Sequence, residues 1–419
     1  MSRGEGWPRV PGRLILGSIM ARLRISRVGI IGLVSGVLLA VSLVLAAGFQ
    51  HRGAYRYLNV FQEVWSLTVA NYVEPVDKPK LLDGAYRGML ASLDSASGYL
   101  SPEDRKLLSR PLGPARSGMQ VLQSGGIPVV VRVDPGSPAD GAGLERGDQV
   151  WKIDDRPTRT LPWSLLIRLL SGEPGKKVSL EVLKGRNFKI ENLDLTLESW
   201  SSPGVTVEVL EGPVIHLRVF DLDRVDPVKA RAALVEARSD QPSAPLLVDF
   251  RGVVGVDPAV IERFSGWLLP PGASLQLVSR SGPAQRVESA GAGDPDLPSR
   301  RYVLEDSSTA GAAEALVALL EEQGGALSCG RKTYGLGGVP EVIDLGSRAA
   351  LLLTTREMRT PSGVSWSGQG LTPRKVLPLK ARSSEEQPKG EDPMLDQALS
   401  WIRAGAPLES RAKQPAVAG

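Results

Sequence analysis

Between Val28 and Phe49 the chain runs for 22 residues without a charged side chain, VGIIGLVSGVLLAVSLVLAAGF. As a helix rising ~1.5 Å per residue it would measure about 33 Å, close to the ~30 Å hydrocarbon core of a bilayer. Arg3, Arg9, Arg13, Arg22, Arg24 and Arg27 precede it, opposed only by Glu5. Positive charge is retained on the cytoplasmic side. The pattern therefore predicts a basic cytoplasmic segment over 1–27, a transmembrane anchor over 28–49 and an extracytoplasmic body. A cleaved signal peptide is the rival reading, with a small-residue site at Val44–Ala46. The apolar run exceeds the usual h-region of about 7–15 residues, which favours an uncleaved anchor. Its length and flanking charge argue against a buried core helix.

The rest of the 419-residue chain is balanced, with 50 Lys and Arg against 46 Asp and Glu and 42% hydrophobic residues. That is enough apolar material for two or three domains of roughly 100–200 residues each. The small basic excess reads as a topogenic signal, and no basic–aromatic cluster points to nucleic acid. The single cysteine, Cys329, excludes an internal disulfide and a multi-cysteine zinc site. Two histidines, His51 and His216, leave little for a His-based metal site or a Ser-His-Asp hydrolase. No metal and no cofactor is expected. Cys329 reads as a small buried apolar residue, and His216, alternating with Ile215 and Leu217, as a structural strand residue.

Residues 55–110 read as helical, with Tyr57, Val60, Phe61, Val64 and Leu67 at helical spacing and a second run over 81–93. The break RPLGPARSG at 110–118 ends that pattern. Short β runs follow to 188: a strand at Val129–Val133, a helix over 161–170 and a strand over 178–185. Over 204–380 strands and helices alternate, with strands at 214–220 and 244–252 and helices at 225–239 and 257–270. Asp257 caps the last of these, with Pro258 at its first position. Such alternation argues for a mixed α/β core. The tail over 381–419 is polar and loose, with one short helix over 392–403.

The run SPADGAGLERGDQVWKIDD resembles a PDZ domain of the bacterial protease type, over 114–190. Gly143 and Gly147 suit turns at positive φ, and Val150 and Ile153 suit a buried strand. Ser117-Gly118-Met119-Gln120-Val121 occupies the place of the carboxylate-binding loop. The resemblance implies that Gly118, Met119, Gln120 and Val121 hold a peptide C-terminus, the peptide adding as a strand beside the 161–170 helix. A domain that only packs on its neighbour, with an empty groove, stays open as an alternative.

Over a longer span, 57–403, the chain resembles the carboxy-terminal processing peptidases, the tail-specific serine proteases. The resemblance rests on VANYVEPVDKPKLLDGAYRGMLASLDSASGYLSPED (69–104), VDFRGVVG (248–255), GRKTYGLGGVPEVIDL (330–345), TPSG (360–363) and GQGLTP (368–373). It implies a multidomain α/β and α+β chain: a helical N-terminal region, then a PDZ domain inserted before a mixed α/β core. That family uses a serine nucleophile with a neutral lysine as base, which dispenses with histidine. Anchoring SSTAGAAEAL on Glu314 puts the nucleophile position at Gly311, and Tyr334-Gly335-Leu336-Gly337 puts the lysine position at Leu336. The two lie 25 residues apart, the family's spacing, so both partners of the dyad are missing. Pro340 replaces the glutamine that follows the lysine. Gly252, Val253 and Val254 stand in the oxyanion segment, with Val256 for a glycine.

These departures predict a catalytically inactive relative in a bacterial inner membrane, its body periplasmic. It would bind polypeptide C-termini or unfolded segments, as a scaffold or as a partner of an active protease or other envelope protein. The rival is an endopeptidase with a displaced dyad, Ser308 or Thr309 with Lys332. Ser308 and Thr309 read instead as caps of a helix over 310–323.

Overall fold

The computed structural model describes residues 56–378, apart from positions 186, 201, 292, 295, 296 and 347, together with residues 392–406. The expected anchor over 28–49, the basic segment before it and most of the tail lie outside the described residues. No described helix is long and apolar enough to cross a membrane. The chain divides into two compact units at Leu81 and Leu82. In the first, helix α1 (residues 56–71) bears the expected stripe, and Tyr57, Val60, Phe61, Val64 and Leu67 are exposed on it.

Helix α2 (Lys78–Ala91) leads to β1 (Gly98–Leu100) and α3 (Pro102–Ser109). Proline in the first turn and a Ser101/Asp104 capping box start α3. Asp104, 1% exposed, also receives Arg87 at 2.9 Å and Arg156 at 2.5 Å. Burial alone would raise its carboxyl, but the two guanidiniums hold it below the usual range.

The next segment comprises β2 (Ala115–Arg116), β3 (Met119–Ser124), β4 (Ile127–Val133), α4 (Pro138–Gly141), β5 (Gln149–Ile153) and β6 (Arg156–Pro157). It continues with α5 (Trp163–Leu169), β7 (Ser171–Gly172), β8 (Lys177–Leu183) and β9 (Ile190–Thr196). The main sheet, β3-β4-β5-β8-β9, is antiparallel, with β3 at an edge. It extends past 190, because β9 pairs with β8 along its whole length. The signal is the alternation of Leu193, Leu195 and Leu197, of which the last two are fully buried.

The core contains β10 (Val205–Leu210), β11 (Val214–Val219), α6 (Pro227–Asp240), β12 (Leu246–Asp249), β13 (Val254–Gly255), α7 (Ile261–Phe264), β14 (Ser274–Ser279) and β15 (Gln285–Glu288). After these come β16 (Arg301–Glu305), β17 (Ala310–Gly311), α8 (Ala312–Glu322), β18 (Leu327–Gly330), β19 (Gly338–Asp344), β20 (Ala350–Arg359), β21 (Lys375–Val376) and α9 (Pro393–Arg403). One sheet has the order β10-β11-β12-β16-β18-β21, parallel except for β10. Ile215, Leu217, Val248 and Val303 cluster on one face with Leu234 of α6 and Leu316 of α8. Val214, Leu247, Tyr302 and Leu304 pack on the other against Met394, Leu399 and Trp401 of α9. A second sheet, β1-β20-β14-β15 with β19 along β20, completes the core.

The helix expected over 257–270 is much shorter. Asp257 caps a 3₁₀ turn, α7 ends at Phe264, and the chain turns at Gly266 with φ +81°. Past that turn Trp267, Leu268 and Leu269 are all fully buried.

Candidate functional site

The loops after β12, β16 and β18 leave the sheet at its carboxyl edge, where open parallel sheets receive ligands. The first follows Asp249, which is fully buried. Burial would raise its carboxyl, but Arg251, the His216 ring and Arg218 hold it well below the ordinary range. Arg251 donates to Asp249 from Nε at 2.9 Å and Nη2 at 2.6 Å, and to Asp392 from both Nη atoms at 2.7 Å. Asp392 caps α9, so this guanidinium fastens the last helix beneath the loop. His216 is buried, with Nδ1 3.1 Å from Glu208 and Nε2 3.4 Å from Asp249.

Gly311 and Leu336 meet. Gly311 precedes α8 with φ +70° and ψ −120°, a conformation that L side chains rarely adopt. A Cβ built on it would stand 3.5 Å from Leu336 Cδ2, so the positions paired by the resemblance are neighbours. The same Cβ would also collide with the carbonyl oxygen of Gly255. The cause is β13, which pairs in parallel with β17, Gly255 opposite Gly311. A serine cannot be seated at 311 unless residues 254–256 move away. Leu336 is 4% exposed and packs with Ala96, Leu122, Trp163 and Ala310, which joins three parts of the chain. It also borders a cavity of about 520 Å³ with Gln123, Tyr334 and Ser367.

Glu314 holds this arrangement. Fully buried in the first turn of α8, its carboxylate accepts the N–H groups of Gly311 at 2.8 Å, Gly335 at 2.7 Å and Leu336 at 2.7 Å. The Thr333 hydroxyl adds a fourth bond at 2.5 Å. Burial pushes the carboxyl up, to about 7, against the pull of these donors. Thr333 Oγ1 also accepts the Leu371 N–H at 2.6 Å. The three N–H groups favour the ionised carboxylate, and burial opposes it.

The displaced pair is not assembled. Ser308, 1% exposed, donates to Asp306 and accepts the Gly252 N–H at 2.9 Å. Thr309 donates to the Phe250 carbonyl at 3.1 Å and accepts the Asp306 N–H at 3.1 Å. Lys332 is exposed. Both hydroxyls tie the 306–309 turn to the 250–252 loop, so the expectation that they cap the helix is corrected. The helix starts beyond their reach at Ala312, and Glu314 takes the N–H of Gly311 instead. Cys329 is fully buried, and burial pushes its thiol up, away from reactivity.

In the carboxylate-loop segment, Gly118 has φ +75°, and a Cβ there would run into Ser137. Ser117, Gly118, Met119 and Gln120 border a cavity of about 330 Å³ that also touches Arg132, Ile167 and Leu170. Arg132 is 9% exposed and pairs with Asp134 at 2.8 Å. Its Nη1 donates to the Gly252 carbonyl at 2.8 Å, and its Nη2 has no hydrogen-bond partner among the described residues. Val121 lies outside that cavity lining: its side chain, like that of Met119, is buried in the domain core, and its carbonyl accepts the Trp163 indole N–H at 2.9 Å. Two residues on, the Gln123 carbonyl accepts the Tyr334 hydroxyl at 2.7 Å. Sequence reasoning singled out neither Arg132, Trp163 nor Tyr334. For Glu314 a signal existed, an acid at the third helical position after the cap.

A PDZ domain model matches residues 129–184, and a peptidase family S41 model matches residues 214–376. A carboxy-terminal-processing protease of Bartonella bacilliformis is 27% identical over 365 residues, 83% of this chain and 82% of that protein. The carboxy-terminal processing protease CtpA of Bacillus subtilis is 24% identical over 310 residues, 73% of this chain and 66% of that protein. The solved photosystem II D1 C-terminal processing protease shares the fold, with TM-score 0.59 at 22% identity over 83% of this chain and 97% of that one.

Proposed function

For a chain that joins a PDZ domain to a core of peptidase family S41 and is related to the carboxy-terminal processing proteases, we propose a role in binding polypeptides without cutting them. Its PDZ domain takes polypeptide C-termini, and the core serves as a scaffold or as a regulator of an active protease. Gly311 carries this reading. It has no side chain to attack a carbonyl, and the Gly255 carbonyl bars one from being added. Leu336 beside it cannot take a proton, and the N–H groups nearby point to Glu314 rather than to a developing oxyanion.

The test is incubation of the purified full chain, in detergent, with an unstructured polypeptide ending in an apolar residue. The expected outcome is an intact substrate. Cleavage that disappears in Ser308→Ala or Lys332→Ala would establish the displaced dyad instead.

The proposal includes anchoring by residues 28–49 with the body outside the cytoplasm, supported by the apolar run and the arginines before it. A reporter enzyme that folds only outside the cytoplasm, fused after Gly419, should be active; activity only from a cytoplasmic reporter would reverse the topology.

A further inference from the structure

Strand β3 is the edge of the PDZ sheet, and an added peptide would pair with its outward backbone groups at every second residue. Two successive outward carbonyls are already occupied. Trp163, at the start of α5, bonds Val121, and Tyr334, from the core, bonds Gln123. Gln123 is itself held, its Nε2 donating to the Leu161 carbonyl at 2.6 Å. A strand laid along β3 would have to break both caps, one of them supplied by another domain.

The other end of the groove is different. The 117–120 loop, Ile167 and Leu170 leave a cavity of about 330 Å³, at the small end of the ~300–1,000 Å³ typical of ligand sites. Arg132, nine-tenths buried, borders the same cavity with Arg116 and Arg224, facing Asp134, Asp221 and Asp223 in its lining.

Resting on the peptide-binding reading above, we infer that this groove reads only the end of a polypeptide. The terminal carboxylate sits at the 117–120 loop, the last side chain lies against Ile167 and Leu170, and no strand is added beyond them. Trp163 and Tyr334 are the residues that set this limit.

The experiment titrates the full chain with acetylated peptides of two, four and eight residues, all ending in Ala-Leu with a free carboxylate. Affinities within about threefold of one another are expected, since upstream residues make no backbone bonds. In Tyr334→Phe, and in the double variant with Trp163→Phe, the freed carbonyls should let the octapeptide gain about tenfold over the dipeptide. Tyr334→Phe alone keeps the test valid if the double variant does not fold. An octapeptide that binds the unaltered chain more than tenfold tighter than the dipeptide would overturn the inference and leave the peptide-binding reading standing. An unchanged length dependence in a folded Tyr334→Phe chain would also overturn it. Failure of every peptide to bind would overturn both.

Discussion

The cleft at 311–336 and the groove at 117–121 are lined in different ways. In the first, the N–H groups of Gly311, Gly335 and Leu336 converge on Glu314, Leu336 fills the space, and the Gly255 carbonyl stands where a nucleophile's Cβ would be. Leu336 also borders a cavity of about 520 Å³ there, and in the second a cavity of about 330 Å³ lies against the 117–120 loop and Arg132. The difference is what lies within reach: the Glu314 carboxylate, which accepts three N–H groups at one site, and the buried Arg132–Asp134 pair, 2.8 Å apart, at the other.

The comparison can be broken most decisively by restoring the dyad. Gly311→Ser with Leu336→Lys should give at most trace cleavage. The serine collides with Gly255, and a lysine beside the Glu314 carboxylate keeps its charge. A missing oxyanion donor costs a further ~10²–10³ in rate. Brisk cleavage by this pair would show that the cleft is still open; cleavage gained only after residues 252–256 are also changed would sharpen the contrast.

Next in size is Glu314→Ala, which leaves four donors without their acceptor. Each buried unsatisfied group costs about 1–3 kcal/mol before relaxation, so a loss of roughly 2–4 kcal/mol is expected in chemical denaturation. A loss well under ~1 kcal/mol would mean that water or another group replaces the carboxylate.

At the groove, amidating a bound peptide's C-terminus removes a charge-assisted hydrogen bond of about 1.5–3 kcal/mol, so affinity should fall roughly tenfold to a hundredfold. Equal binding of acid and amide, measured by titration, would remove the carboxylate from the account.

The smallest effect concerns Glu305, a fully buried acid of the core like Asp249 and Glu314. Neither of its oxygens has a hydrogen-bond partner among the described residues, and the Ser328 hydroxyl donates to Glu321 instead. Burial, reinforced by Glu321 and Glu314, pushes its carboxyl well above the ordinary 4.5. The folded state therefore binds the proton more tightly than the unfolded state. Ionisation in the fold is penalised, a penalty absent below the unfolded value that grows as pH rises above it. Glu305→Gln should accordingly raise the thermal midpoint more at pH 8 than at pH 4. An equal shift at both values would show that Glu305 does not titrate differently on folding.

Much of the architecture was legible because its signals are local. The β/α alternation after 204, the PDZ-like run at 137–155 and the glycine at 311 depend on side-chain period or on backbone sterics over a few residues. Even two misread elements carried local signals: the alternation through Leu195 and Leu197 for β9, and Gly266, at φ +81°, against a helix past Phe264.

The sequence alone determined the residue types: no hydroxyl at 311, no amine at 336, a glycine at 118, and a membrane-length apolar run over 28–49. Only the tertiary structure decided where the polar groups go. Trp163 caps a carbonyl 42 positions away and Tyr334 one 211 positions away, while Glu314 collects donors from both sides of β18. Local pattern sets which surface a strand or helix presents. A hydrogen bond needs its partner within about 3 Å, and which partner arrives there is settled by how sheets, helices and domains pack.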